Sequence, residues 1–393
     1  MRNLQKKVDA LLINVETILL LNSPYSKEID LFKGRIGVCF FLYQIALSTN
    51  NSIKREIADN MLSKILYEIQ NNTIYDPNLA QIASIKFLLT FLSDNDLIED
   101  FDWDYASFGT KLINIQVNEI SPENLVAFWQ LIKFLGKHPT INNLNEIYRT
   151  DIINDKLIEL INIIQIKNIL NPHKYFKELW ELQQYDLVYN VIINFFYCSI
   201  FLHQIKKIEF VQPLIRKLKS DTVKTIRKYT DNISSNVFES LNEENRTYHF
   251  SILIQLLYIS IIYEDEISRN KISNMMSLLK SPFILDKDKV LSPLKEQKKM
   301  MYVAIHSLIL AVKLSRISTL NNQNFVYHNC EKLISFFDEK ASLKDYFGII
   351  SNEMEIGIYG LSGLGILLSS LRQKRNILNE IEILLPPKFH FND

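Results

Sequence analysis

The sequence predicts an all-α protein in which buried helices are wrapped by amphipathic helices. Apolar residues recur at helical spacing from end to end, beginning with Val8, Leu11, Leu12, Val15, Ile18 and Leu19. No segment alternates strictly between apolar and polar residues, and no Asn-Gly or Asp-Gly hairpin turn occurs. Glycine (9) and proline (10) are scarce among the 393 residues, so few helix breakers interrupt the pattern.

Composition and charge favour a folded protein with a large core. Hydrophobic residues make up 47% of the chain, charged residues make up 22%, and the formal net charge is zero. This balance argues against disorder. Because there is no excess of cations to neutralise phosphates, the composition also argues against a nucleic-acid partner. A local basic cluster at 216–219 is interleaved with apolar residues, and we interpret it as a solvated helix face.

The cysteines and the N-terminus predict a cytoplasmic location. Cys39, Cys198 and Cys330 are odd in number and far apart, so no disulfide framework is indicated. The first residues continue into an amphipathic pattern, without the apolar region of a secretory signal. Two apolar stretches, 187–205 and 250–263, are interrupted or too short for a span of roughly 20 residues. We therefore expect buried helices there and no membrane span.

Two kinds of helix alternate along the chain. One kind is charged on one side, as at 54–70. The other is apolar almost all round and needs cover on nearly every side; it occurs at 37–47, 80–92, 191–202, 251–262, 303–312 and 357–371. Segments of the second kind start near residues 34, 79, 124, 187, 247, 301 and 357, giving about seven helical hairpins of roughly 45–60 residues. This spacing predicts a double-layered α/α toroid, and the lack of a linker predicts a single domain over residues 1–393.

Two glycine motifs are the sharpest local signal. Gly34 and Gly37 precede and begin the first all-apolar segment, whereas Gly357, Gly360, Gly363 and Gly365 mark the last one. Glycine where a loop enters a helix permits close approach of another backbone. A phosphate-binding loop is disfavoured because no strand precedes the second motif and no lysine follows it as in a P-loop. We therefore interpret these glycines as structural.

These motifs resemble those of the lanthionine synthetase C-like family. Gly34-x-x-Gly37, followed by a helix that ends in Tyr43-Gln44-Ile45-Ala46, is similar to that family's first inner helix. Gly360-x-x-Gly363-x-Gly365 is similar to its last one, and the resemblance covers roughly residues 25–375. It implies the same seven-hairpin toroid. It also implies a role in closing thioether rings in peptides, for which the family uses a zinc ion held by two cysteines and one histidine.

The chain departs from the family where the zinc ligands belong. The fifth inner-helix entry, 245–249, has no cysteine, and Lys299 and Met300 fall roughly where a Cys-His pair is expected. No adjacent Cys-His pair occurs anywhere in the sequence, so we expect no zinc and no other cofactor. His249 and His306 lie near helix entries, where a core role is commoner than a ligand role. His328 and Cys330 are two apart, which points them to different faces of a helix.

The favoured function is a non-catalytic one in a lanthipeptide-type modification system, in which the protein binds a precursor peptide or a partner enzyme. Candidate binding residues at the mouth of the predicted lumen are Arg35, Tyr189, Asn190, Tyr248, His249, Lys299, Tyr302 and Tyr359. One alternative is a zinc-free peptide cyclase or another enzyme of the toroid fold, for which Asp186 and Glu355 are the carboxylates near helix entries. A scaffold unrelated to peptides is a further alternative.

Overall fold

The computed structural model describes residues 2–70, 79–98, 158–159, 161–162, 184–204, 212–232, 243–278, 294–317, 323–339, 356–358 and 360–372. Within these residues the regular structure is entirely helical, which confirms the all-α prediction. We number the described α-helices in chain order: α1 Arg2–Asn22, α2 Arg35–Thr49, α3 Ser52–Gln70, α4 Leu79–Asp94, α5 Tyr185–Gln204, α6 Gln212–Asn232, α7 Glu243–Ile262, α8 Glu266–Leu278, α9 Leu294–Ile317, α10 Gln323–Glu339 and α11 Leu361–Arg372. A 3₁₀ turn, Ser23–Tyr25, follows α1. The predicted inner segment that starts near residue 124 lies outside the described residues.

The two kinds of helix differ in burial as the sequence predicts. Helices α2, α7, α9 and α11 each contain a run of ten or more consecutive residues that are all buried. Helices α1, α3 and α8 bury one stripe and expose the other side. In α1 the buried stripe consists of the six residues that the periodicity indicates: Val8, Leu11, Leu12, Val15, Ile18 and Leu19. The alternation of covered and covering helices is therefore present in the described part of the chain.

In α3 the buried stripe is displaced from the one that apolarity alone indicates. Ile57, Met61, Ile65, Leu66 and Ile69 step at helical spacing in the sequence, but Ile57 and Met61 lie at the half-exposed edge. Ala58 and Leu62 are buried in their place. Helix α3 packs against α2, and a small residue such as Ala58 lets two helix backbones approach closely.

The chain forms two compact units, each assembled from separate stretches of sequence. The first comprises Met1–Pro77, Ser235–Ile254 and Ser273–Asp393. The second comprises Asn78–Ser234 and Gln255–Ile272. The boundary at residues 254 and 255 falls within helix α7.

In the first unit, the buried helices follow an order that joins the end of the chain to its beginning. Helix α11 packs against α9, which precedes it, and against α2, which lies near the N-terminus. The amphipathic helices cover them, with α3 against α2, α10 against α9, and α1 against α11. Helix α1 also contacts α10. The N-terminal helix α1 thus covers the last buried helix that the structure describes.

In the second unit, α5 packs against the second half of α7 and the residues that follow it. The rings of Phe196 and Tyr258 lie 5.8 Å apart, and the Tyr263 hydroxyl donates a hydrogen bond of 2.9 Å to the carbonyl of Ser199. Outside this contact, two ion pairs link α6 to α8 and to the residue before it, Lys271 with Asp231 and Arg227 with Asp265. Helix α6 contributes the cation of one pair and the carboxylate of the other.

The long apolar helices fall short of what a bilayer requires. Among the helices that the structure describes, none is both long enough and apolar enough to cross a membrane. The stretches at 187–205 and 250–263 contribute to α5 and α7, and most of their described side chains are buried.

Candidate functional site

The loop before α2 is held by a carboxylate and by backbone hydrogen bonds. The Asp30 side chain accepts hydrogen bonds of 2.7 Å from the backbone N–H groups of Phe32 and Lys33. The backbone N–H groups of Arg35 and Ile36 donate to the carbonyls of Glu28 and Ile29 at 3.0 and 3.2 Å. Two of the N–H groups that a helix start leaves without intrahelical partners are thereby satisfied. The first glycine motif is fixed in place before α2 begins.

The second glycine motif is joined directly to this loop. The backbone N–H of Gly357 donates to the carbonyl of Lys33 at 3.2 Å, and that of Ile358 donates to the carbonyl of Leu31 at 3.0 Å. We call residues 28–37, 356–358 and 360–363 the end junction, because they bring both ends of the sequence together. The two glycine motifs, which are more than 300 residues apart in the sequence, form one structural feature.

Glycine is required at the end junction by the closeness of the two backbones. A Cβ atom on Gly37 would lie 2.7 Å from the Cα of Gly357 and 2.9 Å from the backbone nitrogen of Ile358. A Cβ on Gly34 would lie 2.5 Å from the carbonyl of Glu28. On α11, Gly363 faces the carbonyl of Ile358 and Gly365 faces the ring of Phe41. Gly360 is buried and its N–H bonds to the carbonyl of Gly357 at 3.0 Å.

Helix α9 contributes a buried histidine to the same region. The imidazole of His306 interacts with the backbone carbonyl of Ile358, although burial is the larger influence and lowers the pKa of His306 to about 3. The neighbouring Ile305 side chain is 3.7 Å from the place that a Cβ on Gly363 would occupy. His249 is fully buried in the first half of α7, and burial lowers its pKa to about 3 as well. Both imidazoles are therefore neutral at pH 7.

A line of polar side chains follows the face of α2 that packs against α3. The guanidinium of Arg35 binds both carboxylate oxygens of Glu68, with 3.1 Å between Nη1 and Oε1, and this hydrogen bonding lowers the pKa of Glu68. Two turns further along, the Tyr43 hydroxyl donates to Asp59 at 2.6 Å. Burial raises the pKa of Cys39, which lies between them on α2. Each charged group of this line that is buried has an opposite charge beside it.

The predicted binding residues fall into different parts of the molecule. Arg35 lies within the end junction, but its guanidinium is engaged by Glu68. Tyr248, His249 and Tyr302 are buried in the first unit, and Tyr189 is buried in the second. Asn190 is half-buried on α5. The backbone of Lys299 lies in α9 but its side chain lies outside the described residues, as does the whole of Tyr359.

The roles of several polar residues in these regions cannot be read from the sequence. Glu68 and Asp59 look like surface residues of an amphipathic helix, and their pairing with α2 depends on a packing angle that periodicity does not give. Asn194 is more accessible to prediction. It lies four residues after Asn190 in an otherwise apolar helix, a spacing that places two amides on one face.

Neither a metal site among the described residues nor a related protein identifies a function for these regions. Within the described ranges, no group of three or more His, Cys, Asp or Glu side chains is arranged to hold a metal ion. Asp186 has its side chain outside the described residues, and Glu355 lies wholly outside them. The chain matches no protein-family model, no curated protein and no solved structure.

Proposed function

We propose that the protein is a zinc-independent, peptide-binding member of the lanthionine synthetase C-like fold. In this proposal it works in a peptide-modification system and holds a precursor peptide, or a partner enzyme that carries one, without forming the thioether bond itself. The fold is a closed double-layered toroid of helical hairpins, and the protein acts in the cytoplasm.

The end junction is the observation that supports this proposal most. A ring of hairpins can close only if its last buried helix reaches its first, and the packing of α11 between α9 and α2 meets this condition. The hydrogen bonds from Gly357 and Ile358 to the loop before α2 use the two glycine motifs on which the family resemblance rests. Such a closed arrangement favours a concave surface at its centre, where an extended chain can lie.

The burial of the Cys39 and Cys330 thiols supports a binding role over cyclisation. Zinc coordination and nucleophilic attack both use the thiolate form of cysteine. Burial raises the pKa of Cys39 and raises that of Cys330 to about 12, so both stay protonated at neutral pH. The sequence also has no adjacent Cys-His pair to form the family's zinc site. A binding role requires neither a thiolate nor a zinc ligand.

Selection from a display library of random linear dodecapeptides tests the proposal. The purified, tag-free protein is immobilised, and the enriched peptides are synthesised with a fluorophore for anisotropy titration in buffer that contains a metal chelator. We expect at least one enriched peptide to bind saturably, with a dissociation constant that zinc addition leaves unchanged. Failure to enrich any peptide above an albumin control contradicts the proposal.

A second assay separates binding from turnover. A peptide that contains one dehydroalanine and one cysteine is incubated with the protein and then alkylated. Thioether formation adds the S–H bond across the C=C bond and leaves the mass unchanged, but it removes the thiol that alkylation would label. We expect full labelling after incubation with the protein. Loss of the label in the chelator buffer favours the alternative of a zinc-free cyclase.

A further inference from the structure

Helix α1 has a second apolar stripe on the face opposite to its buried one. At 100° per residue, positions 10, 13, 17, 20 and 21 lie on one side of the helix, centred opposite to the buried stripe. Ile13 is 62% exposed and Leu21 is 66% exposed, Ala10 and Thr17 are exposed as well, and Leu20 is half-buried. We call these five residues the outer stripe. It lies within residues 2–70, which the structure describes without a gap.

The polar groups in and beside the outer stripe are satisfied within the chain. The Thr17 hydroxyl donates a hydrogen bond of 2.8 Å to the carbonyl four residues earlier, so its methyl group remains for outside contacts. Between residues 8 and 22 the sequence has only two charged residues, Asp9 and Glu16. Asp9 is paired with Arg372 at 3.2 Å, and Glu16 is paired with Lys54 at 2.7 Å. The outer stripe is therefore apolar, and the charges at its borders are neutralised.

The outer face of the covering helix α3 is different. It exposes Arg55, Glu56 and Lys64, as a helix that faces water ordinarily does. Single exposed apolar residues are common on protein surfaces. A row of them at helical spacing on both sides of one helix is typical of a helix that packs on both sides. Helix α1 uses one side against α10 and α11, and the outer stripe offers the other.

The order of large and small residues makes the outer stripe complementary to itself. Positions 10, 13, 17 and 20 have the alternating spacing of three and four residues that a coiled-coil seam has. If two copies of α1 run antiparallel about a twofold axis near residue 15, Ala10 of one copy meets Leu20 of the other. Ile13 likewise meets Thr17. Each layer then combines a smaller with a larger side chain, so the two stripes interdigitate, whereas a parallel pair would oppose Ala10 to Ala10.

The same register extends beyond the outer stripe. It brings the exposed Lys6 of one copy to the level of residue 24 of the other, next to Tyr25, whose ring is 85% exposed. A cation beside an aromatic ring is a favourable contact. We propose that the outer stripe pairs antiparallel with the outer stripe of a second copy and forms a twofold-symmetric dimer. This dimer does not depend on the proposed peptide binding.

The dependence of mass on protein concentration tests the proposal. Because the contact is confined to about three turns of one helix from each copy, it is smaller than a standard interface of about 1,600 Å². We therefore expect a reversible dimer in sedimentation equilibrium of the full chain. Ile13→Glu should raise the dissociation constant by about tenfold or more, because it buries a charge without a partner. The matched control is Ile267→Glu on α8, where the isoleucine is 65% exposed; it should dimerise as the wild type does.

Cross-linking tests the orientation of the two helices. Two variants, Ala10→Cys and Leu20→Cys, are treated with a short thiol-specific cross-linker, to which the buried Cys39, Cys198 and Cys330 are inaccessible. We expect cross-links in the mixture of the two variants and none in either variant alone.

Three results would overturn the proposal. The first is a dimer that persists in Ile13→Glu, since it assigns dimerisation to another surface. The second is cross-linking within one variant, since it contradicts the antiparallel register. The third is a wild-type protein that stays monomeric at every concentration. If that monomer binds phosphatidylcholine vesicles and Ile13→Glu abolishes the binding, the outer stripe contacts a lipid surface instead.

Discussion

Arg35 and Tyr43 are tolerated at the buried face of α2 because each binds a carboxylate of α3. A cation in the first turn of a helix interacts unfavourably with the helix dipole. Arg35 is in this position and is also buried, with a relative exposure of 5%. The bidentate contact with Glu68 on α3 compensates for both disadvantages. The pair therefore connects the loop-to-helix entry at the end junction with the covering helix.

Replacing Glu68 with glutamine tests the value of this pair. The variant leaves a buried guanidinium without its counter-charge, and we expect a loss of about 1–3 kcal/mol in the free energy of unfolding. Chemical denaturation at pH 7 measures it. The control is Glu266→Gln, which breaks an exposed pair with Arg269 and should change stability by less than about 0.5 kcal/mol. Equal effects of the two substitutions would contradict the structural role of the Arg35–Glu68 pair.

Gly37→Ala tests the close approach at the end junction. In an ordinary helix position this change stabilises by up to about 1 kcal/mol. Here the new methyl group meets the backbone at Leu31 and Gly357, so we expect a loss of about 2–3 kcal/mol. Gly365→Ala, for which the nearest atoms belong to the ring of Phe41, should cost less because a side chain moves more easily than backbone. Stabilisation by Gly37→Ala, measured by denaturation, would refute the contact.

The two buried histidines predict a loss of stability in acid. Their pKa values of about 3 in the folded chain lie below the ordinary value of 6.5, which holds after unfolding. The unfolded chain therefore binds protons first, and the stability that the neutral imidazoles confer is complete above pH 6.5 and is lost as the pH falls toward 3. At pH 5 the expected loss is about 2 kcal/mol for each histidine.

Denaturation curves between pH 7 and 5 measure this dependence. The double variant His249→Leu/His306→Leu should flatten the profile, whereas replacement of the exposed His328 with glutamine should leave it as in the wild type. A double variant whose stability falls as steeply as that of the wild-type protein would show that other groups cause the acid sensitivity.

At the scale of elements, the pairing of α1 with α11 connects the two ends of the sequence. The buried stripe of α1 lies against a helix whose residues 361–370 are all buried. An ion pair of 3.2 Å between Arg372 and Asp9 adds a polar contact at its edge. Since most helical stability in proteins comes from packing of an apolar face, α1 should be held mainly by its buried stripe.

Two leucines of α1 provide a matched test of this packing. Leu19 is fully buried and Leu21, two residues further on, is 66% exposed. We expect Leu19→Ala to lower the free energy of unfolding by about 2–4 kcal/mol, and Leu21→Ala to change it by less than about 0.5 kcal/mol. Thermal denaturation of both variants measures the difference. Similar losses in the two variants would mean that α1 does not pack as described.

Helix type and burial could be predicted from the sequence because they depend on local periodicity. The stripe of α1 and the long buried runs in α2, α9 and α11 follow from which residues are apolar. The end junction could be predicted only in part. The glycines indicate a close approach, but Gly37 and Gly357 lie hundreds of residues apart, and no local pattern specifies that they meet.

The candidate binding residues were harder to predict than the fold, for a physical reason. Tyrosines at helix entries are equally suited to core packing and to ligand contact, and Tyr189, Tyr248 and Tyr302 are buried. The half-buried state of the predicted Asn190 depends on the elements that pack around α5 and not on α5 alone.

At the scale of the whole molecule, the proposed function rests on the two glycine motifs that meet at the end junction and on the lack of an adjacent Cys-His pair in the sequence. In this proposal, binding is separate from catalysis, because a surface that holds a peptide does not depend on a metal that would activate a thiol. Peptide binding should therefore be independent of zinc, whichever surface carries it.

The most direct test of this claim is the zinc content of the purified, tag-free protein in complex with a selected peptide, measured by elemental mass spectrometry. We expect much less than one zinc ion per chain, together with a dissociation constant that a chelator does not change. A stoichiometry near one ion per chain, with peptide affinity lost on chelation, would contradict the proposed zinc-independent binding.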